Sequence, residues 1–401
     1  FTKEYTIFRV VHRHSGSPTQ FSHMALTWLH VSDFHLSPVG SYDVNQVLKT
    51  LVESVERFRK TTEWKPDLIF ATGDIAGKGD VAIFKGGNNA PATKFFDKLL
   101  QAAGQGRERL FIVPGNHDVE RDQGLVPPTF QTEVDINNYF EKSKCYHFLK
   151  LQAFSEWYND YFGAVKSERT FPDKSTCELI PYTLRKSNEE VSLKLLLINS
   201  ALFCEDASKD IGKLCIGRYC LNPLIEQLES ERKKGDLSLV IAMIHHPFFV
   251  LHTLESIALK NVLASQVDIL LNGHLHQTEV NFGELVELGS GAAYFSANSS
   301  KNAMYCRFDG KKIEVYPICY YEKSSQWSDD PNVFYKTKES TRSFEILRLR
   351  NSAAPDPVVT TETNGHPENK YGTSYQEFLI GAIVNVLATA VQCFSAKVIQ
   401  I

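Results

Sequence analysis

Leu110-Phe111-Ile112-Val113-Pro114-Gly115-Asn116-His117-Asp118 is the stretch on which the fold of this chain turns. Four apolar residues make a short buried strand, Pro114-Gly115 stops it, and an amide, an imidazole and a carboxylate follow at once. The same arrangement recurs on both sides. The run from Leu26 to Ser32 ends in Asp33-Phe34-His35, and that from Asp67 to Thr72 ends in Gly73-Asp74. Further on, Leu237 to Ile244 leads into His245-His246-Pro247, and Val267 to Leu271 into Asn272-Gly273-His274-Leu275-His276. Two segments of helical periodicity, 44–58 and 93–103, separate the first three runs. In the first of them Val47, Leu48, Leu51, Val52 and Val55 share one side. This βαβαβ order predicts parallel strands with right-handed crossovers, and ligands of such sheets sit outside the carboxyl ends of the strands. Asp33, Asp74 and Asn116 all fall at that edge.

The rhythm resumes with a strand over 191–199, a helix over 222–234, the strand before His245, a helix over 254–263 and the strand before Asn272. Shorter β-like segments follow at 279–282, 285–288, 303–308, 312–321 and 343–349. The class is therefore α/β, a two-sheet β-sandwich flanked by helices. Between them, residues 119–190 hold no clean βα unit. Ile136 to Phe162 is rich in aromatic residues and helical in pattern, which predicts a helical insertion over about 120–190. It either packs on the flank through its aromatics or, since it leaves the sheet beside Asn116, serves as a lid.

With 401 residues, 43% of them apolar and 22% charged, and a formal net charge of -4, the composition is that of a globular protein with a sizeable core. Nothing in the charge demands nucleic acid, and there is no polybasic tail. The eight cysteines form no CxxC pair, which points to a reducing, cytoplasmic setting. Residues 1–23 carry charges and histidines where a secretory signal would be apolar, so they are expected to be a poorly ordered leader before Met24. The main domain is expected over 24–350. A linker with three prolines spans 351–371, and 372–401 is an apolar C-terminal segment. Its core, Phe378 to Val391, falls short of the ~20 residues that span a bilayer. An oligomerising helix, a membrane-associated segment and an unstructured end all fit it.

An asparagine, two carboxylates and four or five imidazoles at strand ends form a set large enough for two metal ions. A dinuclear centre needs a bridging carboxylate, terminal ligands and open positions; at ~3.5–4 Å separation the ions lower the pKa of a shared water and clamp phosphoryl oxygens. Mixed imidazole and oxygen ligands suit Mn, Fe, Zn or Co better than Mg or Ca. His30, inside the first strand, reads as a core residue. Lys78, Asp80 and Arg121 are either rim residues or solvated loop charges.

In order, Asp33-Phe34-His35, Gly73-Asp74, Gly115-Asn116-His117-Asp118, His245 and Gly273-His274-Leu275-His276 resemble the DxH, GD, GNHD, H and GHxH motifs of the calcineurin-like metallophosphoesterases. The resemblance covers about residues 26–320 and implies that family's four-layer αββα fold. It also implies hydrolysis of a phosphate ester by a hydroxide held on two divalent transition metal ions. Carried over by position, Asp33, His35 and His276 would bind one ion and Asn116, His245 and His274 the other, with Asp74 bridging. His245 is favoured over His246 because the family ligand stands two residues before the proline. His117 would contact the phosphate and protonate the leaving group, and Asp118 would orient its ring. One departure is that Ile75-Ala76-Gly77-Lys78-Gly79 precedes Asp80, where many members carry an acidic residue sooner.

The Asn-His-Asp and GHxH forms look like members that cleave phosphodiesters, such as class III cyclic nucleotide phosphodiesterases and repair nucleases, more than like the protein serine/threonine phosphatases. The DFHLS and FIVPGNHDV stretches also look like bacterial phosphoesterase domains fused to, or encoded with, signalling and defence ATPases. The substrate so implied is a phosphodiester of a nucleotide or nucleic acid. Phosphomonoester hydrolysis and a non-catalytic metal-bound scaffold whose tail recruits partners are the alternatives, and with either activity the C-terminal segment could make a homo-oligomer.

Overall fold

The computed structural model describes residues 25–346 apart from 38–41, 78, 122–127, 143–145, 164–168, 173–174, 187–188, 206, 237, 284, 297 and 335–340. The leader, the linker, the C-terminal segment and Lys78 thus lie outside the described residues. The first half runs β1 (Leu26–Val31), α1 (Tyr42–Thr61), β2 (Leu68–Ala71), α2 (Pro91–Ala103), β3 (Leu110–Ile112), α3 (Glu133–Lys142) and α4 (Gln152–Gly163). The second continues with β4 (Cys177–Lys186), β5 (Glu189–Ile198), α5 (Ala207–Asp210), α6 (Arg218–Lys233), β6 (Leu239–Ile244), α7 (Thr253–Gln266) and β7 (Ile269–Asn272). Then come β8 (Thr278–Phe282), β9 (Val286–Ser290), β10 (Asn302–Phe308), β11 (Lys312–Tyr321), β12 (Gln326–Asp329) and β13 (Arg342–Glu345).

One sheet has the order β12-β11-β10-β1-β2-β3, with β13 also on β11; the other is β4-β5-β6-β7-β9-β8. β1, β2 and β3 are parallel, as are β5, β6, β7 and β9, while β4 and β8 close the second sheet as antiparallel edges. Strands buried on both faces read as continuous apolar runs, and alternate residues separate two cores. Leu26, Trp28, Leu68, Phe70 and Phe111 of the first sheet share one cluster with Leu195, Ile241, Met243, Ile269 and Leu271 of the second. The intervening residues, among them Leu29, Val31, Ile69, Leu196, Val240 and Leu270, belong instead to the cluster that takes the apolar faces of α1, α2, α6 and α7. The result is two mixed sheets face to face between helices, as the sequence predicts.

The segment expected to be a helical insertion over about 120–190 carries a strand at its end. Its helices end at Gly163, and residues Cys177–Lys186 form β4, paired in register with β5 from Cys177↔Ile198 to Lys186↔Glu189. The strand escaped the sequence pattern because Pro181 interrupts it and only Cys177 and Leu184 are buried. A proline is tolerated there because β4 is an edge strand. The aromatics of α4 pack on the flank: Trp157 Nε1 donates to Thr93 Oγ1 of α2 at 2.9 Å, and its ring lies 5.3 Å from Phe84. Arg169 anchors the far end of the insertion by donating to the carbonyls of Leu110 and Glu108 at the start of β3.

Candidate metal centre

The carboxyl ends of β1, β2 and β3 in one sheet and of β6 and β7 in the other deliver every residue expected at the site. The backbone there is held in an unusual state. Asp33 (φ 53°), His35 (45°), Asp74 (52°), His274 (72°) and His276 (56°) all have positive φ, and among the described residues only Ser325 joins them outside glycine. Each such residue costs about 1–2 kcal/mol, a strain that persists only where the surroundings over-determine it. Here the strand-end loops lock one another. Asp33 N donates to Gly73 O (3.0 Å), Phe34 N and His35 N both donate to Asp74 O (2.8 and 3.1 Å), and Gly273 N donates to His245 O (3.1 Å). His274 N closes the ring by donating to Asp33 Oδ2 at 3.1 Å.

Two groups of ligand-type atoms result. Asp33, His35, Asp74 and His276 offer one atom each, all within 4.8 Å of one another. Opposite them, Asn116 Oδ1 lies 3.1 Å from His245 Nε2 and 3.1 Å from His274 Nδ1. Asp74 joins the groups, since its Oδ1 is 3.4 Å from His245 Nε2. His246 also brings a ring nitrogen within 4.8 Å of those of His245 and His274. Its nitrogens have other partners, however: Nδ1 is 2.9 Å from Ser200 Oγ and Nε2 is 3.8 Å from Cys204 Sγ. His245, by contrast, turns Nδ1 to the Thr72 carbonyl at 2.6 Å, so that Nδ1–H donates outward and Nε2 is left facing the site.

The electrostatics suit a cation. Burial holds His35 and His274 down at about 4, so both imidazoles are neutral with free lone pairs at neutral pH. Burial also pulls on His245, yet the Asp74 and Asp33 carboxylates push it up to about 9. Positive charge is therefore favoured between the two groups. Burial disfavours the Asp33 anion, but its contact with His276 outweighs this and sets it at about 2. His35 Nε2 is buried without a hydrogen-bond partner. Buried polar atoms are almost always partnered, so this orphaned ring nitrogen at the convergence point fits a bound ion.

Close approach fixes a glycine as well as the ligands. A Cβ at Gly115 would stand 2.2 Å from Asp74 Oδ1 and 2.4 Å from Asp74 N. Gly115→Ala is expected to displace Asp74 and lower metal affinity by about 10–100-fold, the size of effect seen when ligand support is lost. Metal titration of the folded variant checks this, and wild-type affinity would refute it.

His117 is half-buried beside the first group, its ring 4.7 Å from that of His35 and its Nε2 3.9 Å from Asp74 Oδ2. Its backbone N–H donates to Asp74 Oδ1 at 2.7 Å. Burial lowers its pKa; Asp74 pulls the other way, and the neighbouring Arg121 adds to the lowering. The expectation that Asp118 orients this ring does not match the geometry. Asp118 Oδ1 accepts from Ala76 N and Oδ2 from Gly115 N, both at 2.8 Å. The carboxylate ties the β2 and β3 loops together because their buried amides need acceptors. Burial, with Asp74 nearby, pushes it up to about 7. Arg121 reaches the rim, with Nη2 3.4 Å from Asn116 O. Asp80 caps a short turn by accepting from Ala82 N, and His30 stays inside β1 with Nε2 3.0 Å from Thr72 Oγ1. Sequence reasoning missed Ser200, Cys204 and Phe295, whose ring centroid lies 4.0 Å from that of His276. None of the three carries a motif or a periodic signal.

A family model described as calcineurin-like phosphoesterase matches residues 26–278. The chain is 24% identical over 343 residues to the uncharacterized metallophosphoesterase-like protein YydB of Bacillus subtilis (strain 168). That match covers 82% of this chain and 66% of YydB, so the chain spans just under two thirds of that relative's length. Among solved structures, the purple acid phosphatase PPD1 of yellow lupin (Lupinus luteus) is similar at TM-score 0.46 and 12% identity, covering 86% of this chain and 59% of that one. GAP50, the anchor in the inner membrane complex of Plasmodium, is similar at TM-score 0.44 and 13% identity, covering 85% and 99%. With the family model matched over more than half of its length, through every segment of the candidate set to His276, the chain belongs to the calcineurin-like phosphoesterase family.

Proposed function

We propose that this chain hydrolyses a phosphodiester at a dinuclear metal centre. Asp33, His35 and His276 would hold one ion, Asn116, His245 and His274 the other, and Asp74 would bridge them. The observation that carries this is the meeting of the two groups of ligand atoms at Asp74, fed from strand ends of both sheets. Bound there, divalent ions lower the pKa of a water and neutralise the phosphoryl oxygens. The mix of imidazole and oxygen donors favours Mn, Fe, Zn or Co.

The chain's own part lies around them. His117, held by its backbone against Asp74 but not enclosed by either group, contacts the phosphate and gives a proton from its imidazole to the departing oxygen. Arg121 adds positive charge beside it. Asp118 keeps the loops of Asp74 and Asn116 in register from behind. The Asn-His-Asp and GHxH motif forms support a diester, in a nucleotide or nucleic acid, over a monoester. The six described cysteines are all free, which suits a reducing, cytoplasmic setting. No helix among the described residues is long and apolar enough to cross a membrane.

The test is hydrolysis of an aryl phosphodiester and the matching monoester by Mn-loaded protein. The diester should be preferred by about tenfold in kcat/KM, worth about 1.4 kcal/mol in the transition state, and chelation should abolish both activities. A monoester preference would make the chain a phosphatase. Two bound ions without any turnover would make it a scaffold.

A further inference from the structure

Phe295 occupies an unusual position for an apolar side chain. It is 48% exposed, yet its ring lies against two of the residues at the metal centre. The centroid stands 4.0 Å from that of His276, with 36° between the planes, and 5.5 Å from that of His35. The backbone that carries it is anchored to the same strand end as the ligands. Ala293 N donates to Ser32 O at 2.8 Å and Tyr294 N donates to Asp33 O at 3.0 Å. Ala292, Ala293 and Tyr294 are buried. Immediately after Phe295, Ser296 N donates to Ser299 Oγ at 3.0 Å and Ser299 N donates to Ser296 O at 3.3 Å, closing a turn. The ring is thus carried on an anchored backbone and set beside His276 and His35, with about half of its surface left to water.

An exposed, pre-positioned aromatic beside a charged site has a specific use. A planar ring on the substrate can be laid on it with little ordering of the protein, and both gain by leaving water. We propose that Phe295 is a stacking platform for a planar aromatic group on the substrate's ester, a nucleobase or an aryl group, so that the site selects aromatic phosphate esters over alkyl ones. This rests on the metal centre binding a phosphoryl group, and it narrows the substrate class.

Binding of phenylphosphonate and methylphosphonate to Mn-loaded protein, followed by calorimetry, tests it without requiring turnover. The wild type should bind the phenyl compound about tenfold more tightly, within the range known for stacking on a single aromatic side chain. Phe295→Ala should bring the ratio of the two affinities close to one, and Phe295→Tyr should keep it. Equal affinities in the wild type would overturn the proposal, as would a ratio unchanged in Phe295→Ala or failure of both phosphonates to bind. So would loss of manganese in Phe295→Ala with both phosphonates affected alike, which would make Phe295 a cover over His276. Hydrolysis is assayed separately. A protein that shows the expected ratio but cleaves no ester keeps the platform and loses the hydrolase proposal.

Discussion

Asp74→Ala is expected to lose metal and turnover together, with kcat/KM down on the order of a thousandfold or more, since the proposed bridging ligand would serve both ions at once. Asp74 is buried to 1% exposure, accepts the His117 backbone N–H at 2.7 Å and lies 3.4 Å from His245 Nε2. Its charge is also a leading reason that His245 is held up near 9. Removing the carboxylate therefore takes away a ligand, the electrostatic reason for a cation between the two groups, and a brace for His117. Asp74→Asn separates these contributions. It keeps the acceptor for His117 N and nearly the same volume, so the fold should survive, but the charge is gone. Metal content by mass spectrometry, read beside the melting temperature of the metal-free protein, distinguishes lost ligation from lost folding. An Asp74→Asn protein that keeps both ions and near-native turnover would sink the dinuclear proposal.

His117→Ala should behave in the opposite way, keeping its metal while turnover falls by about 10²–10⁴, the usual contribution of a positioned proton donor. The expected loss is largest for esters with poor leaving groups, whose departing oxygen most needs the proton, and smallest for nitrophenyl esters. The geometry separates His117 from the proposed ligands. Its ring is edge-on to His35 at 4.7 Å, and its Nε2 is 3.9 Å from Asp74 Oδ2. It also keeps 16% of its side-chain surface open where Asp33, Asp74 and His245 are closed off. A uniform loss across leaving groups would assign it to phosphate binding alone, and loss of metal would make it part of the metal-binding set.

Asp118 shows where sequence reasoning reached its limit. Its place after His117 suggested ring orientation, but the direction of a side chain depends on which buried groups lack partners, and here these were the amides of Ala76 and Gly115. β4 shows a second limit. An edge strand with a proline and only two buried residues lacks the continuous apolar run that marked β1, β2 and β6.

From the sequence alone came the alternation of strands and helices, the two-sheet class, and the placing of Asp33, His35, Asp74, Asn116, His245, His274 and His276 just beyond strand ends. Those features are local, because apolar periodicity and stop signals act within one element. Only the tertiary structure decided that the ends of β1, β2 and β3 meet those of β6 and β7 from the other sheet. Only there do His246 turn to Ser200 and Cys204, and Phe295 come to rest on His276. Those pairings join residues far apart in the chain. They are set by how two sheets pack through the cluster of Trp28, Phe70, Met243 and Leu271, and by loops that hold non-glycine residues at positive φ. Such a conformation is stable only when the neighbouring loops are already in place.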